Sequence, residues 1–377
     1  MRNGALKEAE RVVYYDKETE KESRRNIQDK GGIGGDQEGT DAVELGACFQ
    51  VHPNQRAQPL VVIAHPSGRL CNRLWLFANF IGNSCEYGYS LANIAFYEYA
   101  EHFENLKEDL FCRYPPRSGR SYGSYVRRLL FGLVWVPLRA LSAIGLRSTP
   151  IHTHLDIRHY RGAEQAFDLC GVEWQSALRK RAVFVLGLEF RDWESLIKYR
   201  REILTFLAPR SVYVDAALVL AGKARMDSEC ILCGIHMRLG DYKRFKSGRW
   251  FYSIEQYVAK MREFYELFRR RKPVRFLVCC DENLPQDAFR GLPVVFASGH
   301  FMEDLLALSQ CDFILGPPST FSAWASFYGD VPLRFLFDLA PLTTQSFIPI
   351  TERIRRRVDL VAQQGENLPH TGFLELC

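Results

Sequence analysis

No GxxxxGK(S/T) loop, no GxGxxG fingerprint and no DxD pair occurs in the 377 residues. Kinase-type, dehydrogenase-type and metal-dependent nucleotide-sugar readings therefore have no motif to stand on. No His/Asp cluster has metal-ligand spacing, so neither a metal nor a bound cofactor is expected. Long apolar runs are missing too. The most apolar stretch, Leu129 to Leu138, is ten residues long and is interrupted by Pro137. A bilayer-spanning helix needs about 20. Residues 1–30 have no apolar core of the kind a secretory leader carries. No internal repeat is present, and no basic stripe is interleaved with aromatics, so nucleic acid is not an expected partner. The eleven cysteines lack regular spacing, and the only CxxC, Cys230/Cys233, falls in an apolar strand. Residues three apart in a strand splay to opposite faces, so these read as buried thiols rather than a metal or redox pair. Thiols inside core strands fit a reducing compartment, and the expected location is cytoplasmic.

What is present can build a sizeable core: 47% of the chain is hydrophobic and 25% charged. Its length suggests two domains. Residues 1–45 carry 8 Lys/Arg against 11 Asp/Glu, so the rest of the chain holds more than the whole net charge of +5. That balance mildly favours anionic ligands. Residues 1–57 mix both signs with little periodicity and read as a mostly disordered arm. Residues 58–225 read as one domain, broken at about 113–160 by an insertion, and 226–377 as a second. Strands are expected at 60–64, 91–96, 182–188, 230–235, 274–280, 294–297, 313–316 and 334–337, with helices between them. Ser253 and Gln256 form a capping box for one helix, and Glu303 and Asp304 open another. Strands alternating with helices predict an α/β fold with parallel sheets.

In such sheets ligands bind outside the carboxyl ends of strands. His236-Met-Arg-Leu-Gly-Asp-Tyr242 lies at one such end, and Arg238 there can fork onto a diphosphate. The same arginine can instead form a structural pair with Asp241. His236 reads either as a catalytic group or as a buried residue that orients the loop. Gly240 reads as a turn residue with positive φ. Asp281 ends the next strand, where it can accept from a guanine or cap a turn. Ser319-Thr320-Phe321 opens a helix and serves either a phosphate or an ordinary N-cap. Gly68 to Arg73 leads into a helix and reads either as a loop whose backbone and Asn72 face the cleft or as a plain strand–helix connector with two solvated arginines, Arg69 and Arg73.

The heptapeptide resembles the HxRRGDY motif of the α-1,2-fucosyltransferases and, more loosely, the HxRxG element of the wider α-1,2/α-1,6/protein O-fucosyltransferase superfamily. Three more blocks agree in order. Gly68-Arg-Leu-Cys-Asn-Arg-Leu-Trp-Leu-Phe-Ala78 is similar to the family's GxLGNQxFQYA. Residues 183–203 are similar to its LxGYxQ segment, and Asp304 to Trp324 to its stretch ending in NSTFSWWGA. The resemblance implies a GT-B-type fold, two Rossmann-like domains facing a cleft, and inverting, metal-independent transfer of fucose from GDP-fucose to a glycan or lipid-linked saccharide. It further implies that Arg238 binds the β-phosphate of the departing GDP, Asp281 the guanine, and Ser319, Thr320 and Phe321 the phosphate and base. Asn72 falls near the sugar. The chain departs from the family at Leu239, which replaces its second arginine, at Cys71 for a glycine and at Arg73 for a glutamine. Two alternatives accompany this reading: transfer from another nucleotide sugar, and a catalytically inactive nucleotide-sugar-binding protein. Glu189 and Asp241 are candidates for a general base because they lie in matched loops.

Residues 127–147 read in two ways. Arg127, Arg128, Arg139 and Arg147 bracket apolar residues, as in an interfacial membrane element. A helix buried against its own domain is the other reading. The first would make the protein peripheral at the inner membrane face.

Overall fold

The computed structural model describes residues 58–364, apart from 118, 121, 159–165 and 228. The arm at 1–57 lies outside the described residues. In the first half, β1 (Leu60–Ile63) leads into α1 (Leu70–Tyr87), followed by β2 (Ser90–Asn93), β3 (Arg113–Tyr114), α2 (Ser124–Ala143), β4 (His152–Asp156), β5 (Phe167–Asp168), α3 (Val172–Ala177), β6 (Ala182–Leu186) and β7 (Phe190–Arg191). Helices α4 (Trp193–Lys198), α5 (Arg200–Phe206) and α6 (Ser211–Arg225) carry the chain to the second half. There the order is β8 (Ile231–Met237), α7 (Ile254–Phe268), β9 (Val274–Cys280), β10 (Val294–Phe296), α8 (Phe301–Leu308), β11 (Phe313–Gly316), α9 (Thr320–Gly329), β12 (Leu333–Phe335) and α10 (Ile350–Gln364).

Two five-stranded sheets result, ordered β3-β2-β1-β6-β4 and β10-β9-β8-β11-β12. Every pairing in them is parallel except β2 with β3. Helices cover their faces, so the central strands are buried on both sides, which is why β8 and β9 are near-continuous apolar runs. This is the expected α/β architecture with two Rossmann-like halves. Both sheets belong to one compact unit. Helix α7 starts at the expected capping box, with Ser253 and Gln256 each bonding the other's backbone N–H. Its apolar face, including Tyr257, Met261 and Phe264, is fully buried against the second sheet. Each such side chain contributes roughly 1.5–3 kcal/mol on leaving water.

The structure departs from the sequence reading at four places. Residues 113–160 are not an appendage: β3 and β4 form the two edges of the first sheet, and β4 pairs in parallel with β6 over its full length. Strand β8 extends through Met237, so His236 sits in the sheet and not in the loop after it. Pro137 lies inside α2 without ending it. Gly240 has φ −70°, not a left-handed conformation. An added Cβ there would lie 3.2 Å from Asp281 Oδ2 and 3.4 Å from Glu282 Oε1, a tight but not forbidden approach to two side-chain carboxylates. Among the described residues no helix is long and apolar enough to cross a membrane.

Candidate functional site

The carboxyl ends of β1 and β8 lie opposite one another, and three loops meet there. The first runs from Ala64 to Arg69. Gly68 has φ +70°, a backbone state that favours glycine, and a Cβ at that position would fall 2.1 Å from Asn72 Nδ2. Glycine therefore lets the first turn of α1 fold up beneath the loop and holds Asn72 against it. Arg73 is buried, contrary to its reading as a solvated residue. Its Nε donates to Gly68 O at 3.1 Å, its Nη1 to Ala95 O at 2.8 Å, and its Nη2 pairs with Glu98 at 2.6 Å. Arg73 thus clamps the loop from below. Arg69 is exposed and reaches across to Asp241 Oδ2 at 3.5 Å.

The second loop follows β8. Arg238 Nη2 donates to Asp241 Oδ1 at 2.5 Å, its Nε lies 3.6 Å from Asp281 Oδ2, and its guanidinium sits 5.3 Å above the Tyr242 ring. The expected Arg238–Asp241 pair is present and partly solvated, its side chains 15% and 45% exposed. Asp281, at the end of β9, accepts through Oδ1 from the backbone N–H of Leu239 at 2.9 Å and of Gly240 at 3.4 Å. It therefore shapes the loop that carries Arg238. Leu239 is buried in the core beneath, so no second cation projects from this position.

The third loop, Pro317 to Thr320, precedes α9. Ser319 is its N-cap, accepting through Oγ from Phe321 N at 3.2 Å. Tyr242 OH donates to Pro318 O at 2.5 Å, which ties this loop to the second. Trp75 Nε1 donates to Thr320 O at 3.3 Å, which ties it to α1. Thr320 and Phe321 are half-buried at the helix N-terminus.

His236 sits below all three loops. It is buried, its Nδ1 lies 2.8 Å from Ser322 Oγ, and its ring centre is 4.9 Å from that of Phe321. Burial, and then the neighbouring Arg238 charge, push its pKa down to about 3. It is neutral at ordinary pH and enclosed, which corrects its reading as a catalytic group: it positions the β8 end against α9. The closeness of the two strands is permitted by Gly316, where a Cβ would fall 2.7 Å from His236 O.

Both candidates for a general base are ion-paired: Glu189 lies 2.7 Å from the fully buried Arg191, and Asp241 is held by Arg238 and Arg69. Arg238, Asp241, Asp281, Ser319, Thr320, Phe321, Gly68 and Asn72 are brought together. Sequence reasoning missed Arg73, Tyr242, Trp75 and Ser322. All four lie inside the blocks already singled out, but their roles depend on contacts between distant segments that no spacing records. Cys230 and Cys233 are unpaired buried thiols. Among the described residues no group of three or more His, Cys, Asp or Glu could hold a metal ion.

No family model matches the chain, and no curated protein matches it. Among solved structures it is similar to a mutant of Arabidopsis thaliana FUT1 in complex with GDP, at 12% identity and TM-score 0.49, covering 85% of this chain and 74% of that one. It is similar to the fucosyltransferase NodZ from Bradyrhizobium, at 15% identity and TM-score 0.44, covering 74% and 96%. It is also similar to POFUT1 in complex with GDP-fucose, at 11% identity and TM-score 0.43, covering 73% and 95%. At such identities none of these likenesses transfers the role of a residue.

Proposed function

We propose that the chain is an inverting, metal-independent glycosyltransferase that moves fucose from GDP-fucose to a glycan or lipid-linked saccharide. One observation carries the reading. Three loops, at the ends of β1, β8 and β11, are cross-linked by Arg69–Asp241, Tyr242–Pro318 and Trp75–Thr320, so the loop that carries Arg238 adjoins both a helix N-terminus and the turn that leads into Asn72. A diphosphate there takes charge-assisted hydrogen bonds from the guanidinium and unpaired backbone N–H groups from the first turn of α9. As the sugar departs, negative charge grows on the diphosphate and Arg238 neutralises it without reorganising, because Asp281 and Tyr242 already hold it in place. Asp241 occupies the phosphate's place in the free protein. Its exchange for a phosphate costs little, since a partly exposed ion pair contributes about 0–1 kcal/mol. The four sequence blocks resembling the fucosyltransferases support the choice of donor.

Arg238→Ala should lower donor hydrolysis or transfer by at least ~10²-fold, as loss of a preorganised electrostatic group does. Release of GDP from GDP-fucose, read with and without acceptor glycans, measures it. Near-normal turnover in the variant overturns the mechanism, and melting-temperature shifts with UDP- or ADP-sugars but not GDP-fucose overturn the donor. A second reading, a nucleotide-sugar binder without turnover, is favoured by the burial of Leu239, which leaves Arg238 as the single cation of the heptapeptide. It predicts that wild type binds GDP but releases none from GDP-fucose with any acceptor.

A further inference from the structure

Helix α2 was not absorbed by the donor site, and its two sides differ. Arg127, Phe131 and Leu138 are buried against the first half, and Trp135 lies beside them with its ring 5.2 Å from that of His65 in the Gly68 loop. At about 100° per residue, the opposite side carries Tyr125, Val126, Leu129, Leu133 and Val136. All five are exposed, Leu133 by 74%. Isolated exposed leucines are ordinary, but a continuous stripe along about three turns marks an interaction surface.

The charge around the stripe is one-sided. The helix itself has no Asp or Glu, and Arg117, Arg120, Arg128, Arg139 and Arg147 lie on or beside it, whereas Arg127 is buried and Arg113 is paired with Asp109. Arg128 and Arg139, both exposed, lie along the edge of the apolar stripe. We propose that α2 is an in-plane membrane anchor that docks this face on a bilayer surface rich in anionic lipids. The stripe enters the headgroup and acyl boundary while the flanking arginines meet the phosphates, the arrangement by which an amphipathic helix lies on a membrane without crossing it. A second copy of this chain would bring the same unbalanced positive charge against itself, so like charge disfavours that occupant. Because Trp135 of α2 packs on His65 of the loop that holds Gly68, docking brings that loop to within a helix diameter, ~10 Å, of the lipid surface. If the donor reading above holds, that location suits a lipid-linked acceptor; the anchoring itself does not depend on it.

Flotation of the full chain with phosphatidylcholine vesicles, with and without phosphatidylglycerol, tests this. The chain should float with the anionic vesicles and stay in solution with the neutral ones. The double variant Leu129→Glu/Leu133→Glu should bind at least ~10-fold less, since it puts two charges where the apolar stripe enters the bilayer. Its melting temperature should not fall, because both side chains are exposed. Arg128→Ala/Arg139→Ala should weaken binding at low salt and less at high salt. Wild type left in solution with both vesicle types overturns the proposal, as does unchanged flotation of the leucine variant. A dimer that the leucine variant splits would assign the face to a second copy, and flotation seen only after removal of residues 1–57 would assign it to that arm; either result overturns the proposal.

Discussion

Asp241 is the residue on which the donor mechanism turns, because it holds the guanidinium that a diphosphate must take. It is bound by Arg238 at 2.5 Å and Arg69 at 3.5 Å, and it stays partly open to water. Removing its charge frees both arginines. Asp241→Asn should therefore tighten GDP binding by up to ~5-fold, the equivalent of the 0–1 kcal/mol such a pair is worth. Isothermal titration with GDP measures it, and weaker binding would mean that Asp241 itself contacts the donor. His236 yields a prediction of a different kind. Its folded pKa, about 3, lies below the 6.5 of an ordinary histidine. Below pH 6.5 the unfolded chain takes up a proton that the native chain refuses. Stability supplied by the neutral ring is thus present above that pH and is lost progressively as pH falls toward 3. Against His236→Gln, whose amide can keep the bond to Ser322, wild type should lose up to about 1.4 kcal/mol more per pH unit below pH 6.5. Urea midpoints across that range decide it; parallel curves would mean that the histidine is accessible and titrates normally.

The loop after β8 owes its shape to Asp281, an acid on a different strand. Asp281→Ala removes the acceptor of the Leu239 and Gly240 amides, which should cost about 1–3 kcal/mol of stability and loosen Arg238. Asp281→Asn keeps the Oδ1 acceptor and should stay close to wild type in melting temperature. The amide variant also separates loop shaping from base recognition. An unchanged preference for GDP over ADP leaves Asp281 with the loop, whereas a relaxed preference puts it against the base, as the family resemblance implies. This contact shows where the sequence could and could not be read. Strand β9 matched its expected bounds because seven apolar residues end at an acid, and α7 began at its capping box because the cap is a local bond between Ser253 and Gln256. Strand β4 was missed because His152-Thr-His-Leu-Asp156 is polar, as an edge strand can be. Pro137 interrupts the apolar run of α2 in the sequence but not the helix, because it removes one N–H and the other turns hold. The partners of Asp281 and Arg73 lie in other segments, and periodicity carries no information on them.

At the scale of the whole molecule, the two halves are joined through the site itself. Trp75, fully buried on α1, packs its ring 5.2 Å from Trp324 and 5.0 Å from Phe327 on α9, and 6.4 Å from Trp193 on α4. Its Nε1 bond to Thr320 O reaches the loop that ends in the N-cap of α9. Arg200 adds a second tie, donating from Nε to Phe327 O at 3.0 Å. The Trp75 indole thus sets the helix bearing Asn72 directly against the loop bearing Ser319. Trp174 is a fair control: equally buried, it packs within the first half on Phe80 and Tyr89, at 5.7 Å from each, and donates to Asn83 Oδ1. Truncating either indole to alanine should cost about 3–5 kcal/mol of stability. At a temperature where both variants remain folded, only Trp75→Ala should also weaken GDP binding, because only it changes the register between the two sides of the site. Binding measured by titration, alongside urea melts to confirm equal destabilisation, separates the cases. Equal loss of affinity in the two variants would mean that donor binding follows global stability, and that the indole contact does not couple the halves.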